Sequence, residues 1–293
     1  MTLVWASGYN GIPDPDAQVY IAAVEAADGQ TLEEPVQFAI HEFVAGCKYD
    51  GIWDAIKASC IFAGARTLSG ALVPLKGTAP TNNNFVSGDY NRETGLVGDG
   101  STKYLDSNRN CNADPQDSHH LSVYATTAPT STSSRFPTYI GAGIVDTGAT
   151  AFGRTQNNGQ LFGRNRSSSF DFLGGGSDIG LIGASRSTST GFVFRRSTTN
   201  TDYTRTSQTP LNANLFVYNT NASGPAFAYY SNARLAFYSI GESIDLEKLD
   251  TRVTRLMNLI TYFLTSGLPD LSTMDWDAAA YIGGAYRAGG TLS

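Results

Sequence analysis

The chain has 293 residues and a formal net charge of −6, and 16% of its residues are charged, against about 25% in an average soluble protein. Glycine contributes 31 residues, and Phe and Tyr contribute 15 each. Low charge with many glycines and aromatic residues is typical of an all-β protein rich in turns, and it argues against a disordered chain or a highly charged helical enzyme. Without a Lys/Arg cluster or a known binding motif, nucleic acid is not an expected partner.

The three cysteines, Cys47, Cys60 and Cys111, have no repeated spacing. We therefore expect free thiols, as is usual for a protein made in reducing cytoplasm, and no disulfide framework. The first residues lack the basic segment and apolar core of a signal peptide. No apolar run reaches the roughly 18–20 residues that a membrane span needs.

Residues 1–64 are predicted to be helical. Pro15, flanked by two aspartates, is typical of a helix start, and Gly29 is expected to end that helix. A second helix is predicted over residues 33–45 and a third, shorter one over residues 51–59. This region would form a helical head or a set of helices packed on the next region.

Residues 65–241 are predicted to be a series of short strands. Asn157-Asn158-Gly159 is typical of a tight hairpin turn, and no long helix separates the strands, which excludes a βαβ sheet. The fold class predicted is therefore mainly β, a two-sheet sandwich or jelly roll. The predicted strands are residues 71–75, 103–105, 120–126, 138–144, 150–155, 159–164, 168–173, 180–185, 191–196, 202–206, 214–218 and 235–240.

Two further regions complete the chain. Residues 242–267 are predicted to form one helix packed on the sandwich, with Ser243 or Asp245 as its N-cap and Gly267 at its end. Residues 268–293 form a Gly/Ala-rich arm that carries aromatic side chains, which we expect to order against a neighbouring subunit. The alternatives are a disordered end or an arm packed on its own domain.

The carboxylates do not form a catalytic pattern. Retaining hydrolysis of a glycoside needs two carboxyl groups about 5–5.5 Å apart. The nearest candidate, Glu242 with Asp245 and Glu247, has the wrong spacing and lies where a strand meets a helix, so helix capping is the better interpretation. We expect no enzyme activity and no catalytic residues.

No cofactor or metal site is expected. His119 and His120 are neighbours on a predicted strand, so their side chains point to opposite faces and cannot easily share one ion; one buried and one exposed histidine is expected. The Asn/Asp-rich loop at residues 108–117 could supply oxygen ligands to calcium, but an ordinary turn loop is the simpler interpretation.

One candidate binding site follows from a repeated Phe-Gly-Arg motif on both sides of the predicted hairpin turn. Phe152, Arg154, Phe162 and Arg164 would lie near each other across the hairpin and could bind an anionic surface glycan or a partner protein. In the alternative interpretation, the two Phe side chains belong to the core and the two Arg side chains face solvent.

Three sequence runs together resemble a known family: residues 50–59 (DGIWDAIKAS), residues 89–105 with the segments DYNR and GDGSTKYL, and residues 234–242 (RLAFYSIGE). They are similar to the concanavalin A-like lectin/glucanase jelly-roll proteins encoded by tailed bacteriophages, over roughly residues 15–265.

The resemblance implies a protein of the virion, made in the cytoplasm of the bacterial host. Its expected role is a non-enzymatic structural one, as a capsid decoration protein or head fibre. A tail fibre or baseplate adhesin that binds a bacterial surface polysaccharide is the alternative, and a glycanase is a third option. The implied partners are further copies of the chain, for which a trimer is one arrangement, the major capsid or tail proteins, and a host surface glycan.

Overall fold

The computed structural model describes residues 14–130, 136–144, 147–155, 159–174, 177–222 and 229–266. Within them, two antiparallel sheets form a sandwich, and a layer of helices covers one of the sheets. This confirms the prediction of a mainly β, two-sheet fold with N-terminal helices and one C-terminal helix. The strands are β1 (Ile56–Ile61), β2 (Thr81–Asn83), β3 (Tyr90–Asn91), β4 (Gly95–Val97), β5 (Tyr104–Asn110), β6 (His119–Thr127), β7 (Thr138–Ala142), β8 (Thr150–Arg154), β9 (Leu161–Asn165), β10 (Asp171–Leu173), β11 (Gly180–Arg186), β12 (Gly191–Arg196), β13 (Thr199–Thr204), β14 (Asn214–Val217) and β15 (Arg234–Gly241).

Sheet 1 has the strand order β13-β12-β11-β6-β15-β4-β3, and β1 pairs with the second half of β15 beside β4. Sheet 2 has the order β10-β9-β8-β7-β14-β5-β2. The core between the sheets takes every second side chain of the central strands, such as Leu121 and Val123 of β6, and Leu105 of β5. These side chains are fully buried.

The helices cover the outer face of sheet 1. They are α1 (Pro15–Asp28), α2 (Glu34–Tyr49), the short α3 (Leu68–Ala71) and α4 (Leu246–Thr265). Their apolar faces pack against Ala236 and Phe237 of β15, and the rings of Phe43 and Phe237 meet edge to face at 5.7 Å. The central strands β6 and β15 of sheet 1 are thus covered on both faces.

The predicted helix ends are confirmed where a cap forms locally. Asp14 accepts a hydrogen bond from the backbone N–H of Asp16 at 2.9 Å and caps α1, and Gly29 ends α1 with a φ of 69°. Of the two alternatives for α4, Asp245 is the N-cap and accepts from the backbone N–H of Glu247 at 2.9 Å.

Two predicted elements are wrong. Residues 51–59 were expected to be helical, but a single 3₁₀ turn at Trp53–Ala55 leads into β1, because this segment pairs with β15 from a distant part of the chain. Residues 71–75 were expected to be a strand, but Ala71 is the last residue of the short helix α3 and residues 72–75 form no strand. The hydroxyl of Thr67, which caps α3, lies 3.3 Å from the backbone nitrogen of Gly70. Strands β2, β3 and β4 are too short to give a clear sequence pattern.

Other sequence predictions meet the limits of the described residues. The turn residues Asn157 and Asn158 and the C-terminal arm lie outside them, although β8 and β9 do pair as the predicted hairpin. The three cysteines are free, as expected, and all three are buried. Among the described residues, no helix is long and apolar enough to cross a bilayer.

Candidate functional site

The Phe-Gly-Arg motifs are largely buried. In the β8–β9 register, Phe152 lies opposite Gly163 and Gly153 lies opposite Phe162, so the two Phe side chains point to opposite faces of sheet 2. Phe152 is fully buried between the sheets, where its ring meets that of Phe194 at 5.9 Å. Phe162 is 2% exposed, and its ring contacts the Phe170 ring at 5.0 Å. The expectation that both rings share one patch is therefore wrong.

The two arginines of these motifs are engaged in the fold. Arg164 is 2% exposed; it donates to the backbone carbonyl of Ile144 at 2.7 Å and lies over the Phe170 ring. Arg154 keeps a third of its side chain exposed, but its Nη1 lies 3.2 Å from Oδ2 of the buried Asp178. Of the four residues predicted to bind a glycan or partner, only Arg154 has an exposed side chain. The buried Arg164 contradicts both interpretations, because it neither joins a surface patch nor faces solvent.

A different set of aromatic side chains lies at the surface of sheet 2. Tyr104 of β5, Phe216 of β14 and Tyr230, just before β15, are each partly exposed. The ring centroids of Tyr104 and Phe216 are 4.7 Å apart with an interplanar angle of 36°, and those of Tyr104 and Tyr230 are 6.2 Å apart. Aromatic pairs at these centroid distances attract each other, so the three rings form one group.

Polar side chains adjoin these rings. Asp106 follows Tyr104 by two residues on β5, so it lies on the same face, and it sits directly opposite Phe216 in the β5–β14 register. Its Oδ2 accepts from the side-chain amide of Asn214 at 3.2 Å, and its Oδ1 accepts from the backbone N–H of Asn108 at 2.8 Å. We call Tyr104, Asp106, Asn214, Phe216 and Tyr230 the Tyr104 patch.

Alternation along β5 and β14 produces this patch. Leu105 and Val217 point into the core and are fully buried, which turns Tyr104, Asp106 and Phe216 outward. A register shift between Asn214 and Phe216 marks a bulge that places the Asn214 amide beside Asp106.

Part of the outer face of sheet 2 is covered. Over β8 and β9, Phe136, Phe170, Ile144 and Tyr229 form a small cluster of their own that closes the sheet. The Tyr104 patch lies on β5 and β14, on the other side of β7 from β8 and β9. Partial burial raises the pKa of the Tyr104 hydroxyl, and the neighbouring Tyr230 and Asp106 raise it further.

The strand alternation at residues 104–108 was a signal available in the sequence. The predicted strand covers residues 103–105, whereas β5 extends to Asn110 and includes Asp106. The approach of Phe216 and Tyr230 to Tyr104 could not be read from sequence, because more than a hundred residues separate them along the chain.

A cavity of about 380 Å³ lies where sheet 1 meets the start of α4, and its lining includes Ser185, Ser243 and Asn200. The hydroxyl of Ser185 donates to the backbone carbonyl of Ile244 at 2.8 Å and accepts from the same residue's N–H at 3.0 Å. Ser243 is hydrogen-bonded to Ser118. Since both serines serve the fold, this cavity is a weaker candidate than the Tyr104 patch.

The carboxylates predicted to be non-catalytic have structural partners. Glu242 forms an ion pair with Lys57 at 3.0 Å, and Asp245 caps α4. Asp171 pairs with Arg205 at 2.5 Å. Each of these three acids thus has a partner within the fold.

The described residues contain no group of three His, Cys, Asp or Glu side chains that could hold a metal ion. In the loop considered for calcium, Asp114 is bound by the guanidinium of Arg109, whose Nε lies 3.1 Å away. His119 contacts Asn165 of sheet 2, whereas His120 contacts Ser239 and the Glu242 carbonyl under the helices. The two histidines do face opposite ways, but both are fully buried, because both faces of sheet 1 are covered at β6. The expectation of one exposed histidine is therefore wrong.

No protein-family model and no curated protein matches this chain. Among solved structures, it is similar to a Trypanosoma rangeli sialidase in complex with sialic acid, at 8% identity and a TM-score of 0.45, over 69% of this chain and 33% of that one. It is similar to the binding domain of botulinum neurotoxin serotype D at 10% identity and a TM-score of 0.41, over 67% of this chain and 50% of that one.

Domains LG4-5 of the mouse laminin α1 chain align at 12% identity and a TM-score of 0.34, over 59% of this chain and 47% of that one. The chain spans half or less of each of these three proteins. The likeness concerns the path of the sandwich, and no activity is carried over from it.

Proposed function

We propose that this protein is a non-enzymatic, glycan-binding β-sandwich that uses the Tyr104 patch. The observation that carries the proposal is the Tyr104 ring, held by Phe216 and Tyr230 beside the carboxylate of Asp106 and the amide of Asn214. A sugar ring has an apolar C–H face, which packs on an aromatic ring, and a rim of hydroxyls, which donate to carboxylate and amide oxygens. The patch offers both kinds of contact side by side.

A binding role fits the chemistry of the patch better than hydrolysis does. Asp106 is the one carboxylate among the five residues of the patch, and most retaining or inverting glycosidases use two. Acids elsewhere in the sandwich, such as Asp171 and Asp178, are paired with arginines. Fold likeness to sialidases supplies no catalytic pair here.

The resemblance to jelly-roll proteins of tailed phages supports a place in the virion. With a glycan site on the sandwich, a tail fibre or baseplate adhesin for a bacterial surface polysaccharide is our first choice, and a capsid decoration protein or head fibre is the second. Quantitative mass spectrometry of purified virions with particle imaging separates the two roles. A few to a few tens of copies at the tail support the adhesin, whereas hundreds on the head support decoration.

The test of glycan binding is a pair of substitutions at the patch. We expect Tyr104→Ala and Phe216→Ala each to weaken binding to an array of bacterial surface polysaccharides about tenfold or more, since each removes a stacking surface. The matched control is Phe172→Ala, because Phe172 is 52% exposed on β10 at the far edge of the same sheet. Urea unfolding of each variant checks that the fold is kept.

Three results would reject the proposal. The first is that the unmodified protein shows no saturable binding. The second is that Phe172→Ala weakens glycan binding as much as Tyr104→Ala and Phe216→Ala do. The third is that the protein releases reducing ends from a bound polysaccharide. The last would make the protein a glycanase.

A further inference from the structure

The charge of the Tyr104 patch is negative. Asp106 lies between Phe216 on one neighbouring strand and Thr81 on the other, in the middle of this part of the sheet. Its two hydrogen-bond donors are the amide of Asn214 and the backbone N–H of Asn108, and both are neutral. Both of these described donors are thus uncharged, and none of the ion pairs formed between described residues includes Asp106.

The basic residues of the same stretch are paired with other acids. Lys103, next to Tyr104 in sequence, forms an ion pair with Asp89 at 2.5 Å. Arg109, three residues after Asp106, binds Asp114. These cations are therefore committed to other carboxylates, and their own side chains are largely covered.

The electrostatic effect of Asp106 reaches the aromatic surface. It is one of the groups that raise the pKa of the Tyr104 hydroxyl, together with burial and Tyr230. A second negative charge placed over the Tyr104 ring would meet the same repulsion. A neutral sugar hydroxyl would instead donate a hydrogen bond to the carboxylate, and a bond to a charged acceptor is among the stronger ones.

We infer that the Tyr104 patch selects neutral glycans and rejects glycans that carry carboxylates, such as those with uronic and sialic acids. Asp106 sets this preference. The inference rests on the proposed function. Two unit charges about 4 Å apart repel enough, even in bulk water, to weaken binding about fivefold. Salt screens the repulsion, so the difference in affinity between neutral and acidic glycans decreases as ionic strength rises.

The experiment uses an array of neutral and acidic bacterial polysaccharides. Each acidic polysaccharide is printed in two forms, the native one and one whose carboxyl groups have been chemically reduced to alcohols. The pairs share one sugar backbone and differ in charge. We expect the protein to bind neutral and carboxyl-reduced glycans at least fivefold more strongly than native acidic ones. The Asp106→Asn variant should lose this preference, because the amide keeps the shape and removes the charge.

Asp202→Asn is the matched control. Asp202 is exposed on β13 of sheet 1, so this substitution makes the same change in net charge away from the patch and should leave the preference intact. Stronger binding of native acidic glycans, equal binding of both forms, or an Asp106→Asn variant with an unchanged preference would each overturn the inference. Absence of binding to every glycan would instead reject the proposed function itself.

Discussion

At the scale of single residues, His120 shows how burial couples stability to pH. Its Nε2 lies 2.9 Å from the hydroxyl of Ser239 and its Nδ1 lies 2.5 Å from the carbonyl of Glu242, and no part of it reaches solvent. Burial is the main cause that lowers its pKa from 6.5 to about 4; the Glu242 carbonyl and Asp114 oppose the shift and Arg109 adds to it. The folded protein therefore holds His120 in its neutral form.

The sign of the pH effect follows from this lowered pKa. Below pH 6.5 His120 becomes protonated in the unfolded chain, whereas in the folded protein it stays neutral until about pH 4. Its contribution to the free energy of unfolding is therefore fully present above pH 6.5 and is lost as the pH falls to 4. We expect His120 to contribute a loss of about 3 kcal/mol over this range. Urea unfolding at a series of pH values measures it.

Comparison of two variants isolates this contribution. His120→Gln should be less stable than the unmodified protein at pH 7 but should show a shallower loss between pH 6.5 and 4. Ser239→Ala, which removes the hydroxyl partner and keeps the imidazole, should be destabilised at every pH with the slope retained. If His120→Gln kept the full slope, the buried imidazole would not be its source; His119, whose pKa burial also lowers, would be the next residue to test.

The candidate site shows what residue-level reasoning can reach. The Phe-Gly-Arg repeat drew attention to Phe152 and Phe162, because aromatic and basic residues lie close together there. Whether such rings are exposed depends on strand register and on covering segments such as the one that carries Phe170, which the local sequence does not reveal. The Tyr104 patch combines residues from three distant parts of the chain, so only the folded sheet brings them together.

At the scale of elements, α4 is fixed to sheet 1 by a buried ion pair. Arg195 of β12 approaches Asp250 of α4 at 2.8 Å, and the two side chains are 6% and 10% exposed. Thr254 adds a hydrogen bond to Asp250 at 3.0 Å. Removal of the carboxylate would leave the guanidinium buried without its counter-charge.

We expect Asp250→Ala to lower the free energy of unfolding by about 3–5 kcal/mol. Glu242→Ala breaks the exposed pair with Lys57, whose partners are 44% and 34% exposed, and should cost no more than about 1 kcal/mol. Urea unfolding of both variants at pH 7 gives the comparison. Equal costs would mean that the Arg195–Asp250 pair does not hold α4 on the sheet.

The elements themselves were predictable to different degrees. Helices α1 and α4 begin at Asp14 and Asp245, because a cap and the helix it starts are neighbours in sequence. Strand β1 was missed, since its partners are remote: Cys60 lies opposite Tyr238 on β15. Residues 51–59 have a helical pattern of apolar residues, as α1 and α2 do, but pairing with β15 overrides it.

At the scale of the whole molecule, β15 joins the two hydrophobic cores. Leu235 and Tyr238 point between the sheets, whereas Ala236 and Phe237 point into the helical layer. Strand β1, which follows α2 along the chain, lies beside β15 in sheet 1. Unfolding of the helices would expose the apolar outer face of the central strands of sheet 1. We therefore expect the helices and the sandwich to unfold together.

Trp53 provides a reporter for this prediction. It is 5% exposed in the helical layer, and its Nε1 donates to Asp16 of α1 at 3.0 Å. With Trp5 and Trp276 replaced by Phe, its fluorescence follows the helical layer, while far-ultraviolet circular dichroism follows helices and strands together. The two signals should give the same urea midpoint. A fluorescence midpoint at lower urea would show instead that residues 1–64 form a unit that unfolds on its own, as the four-region division of the sequence allows.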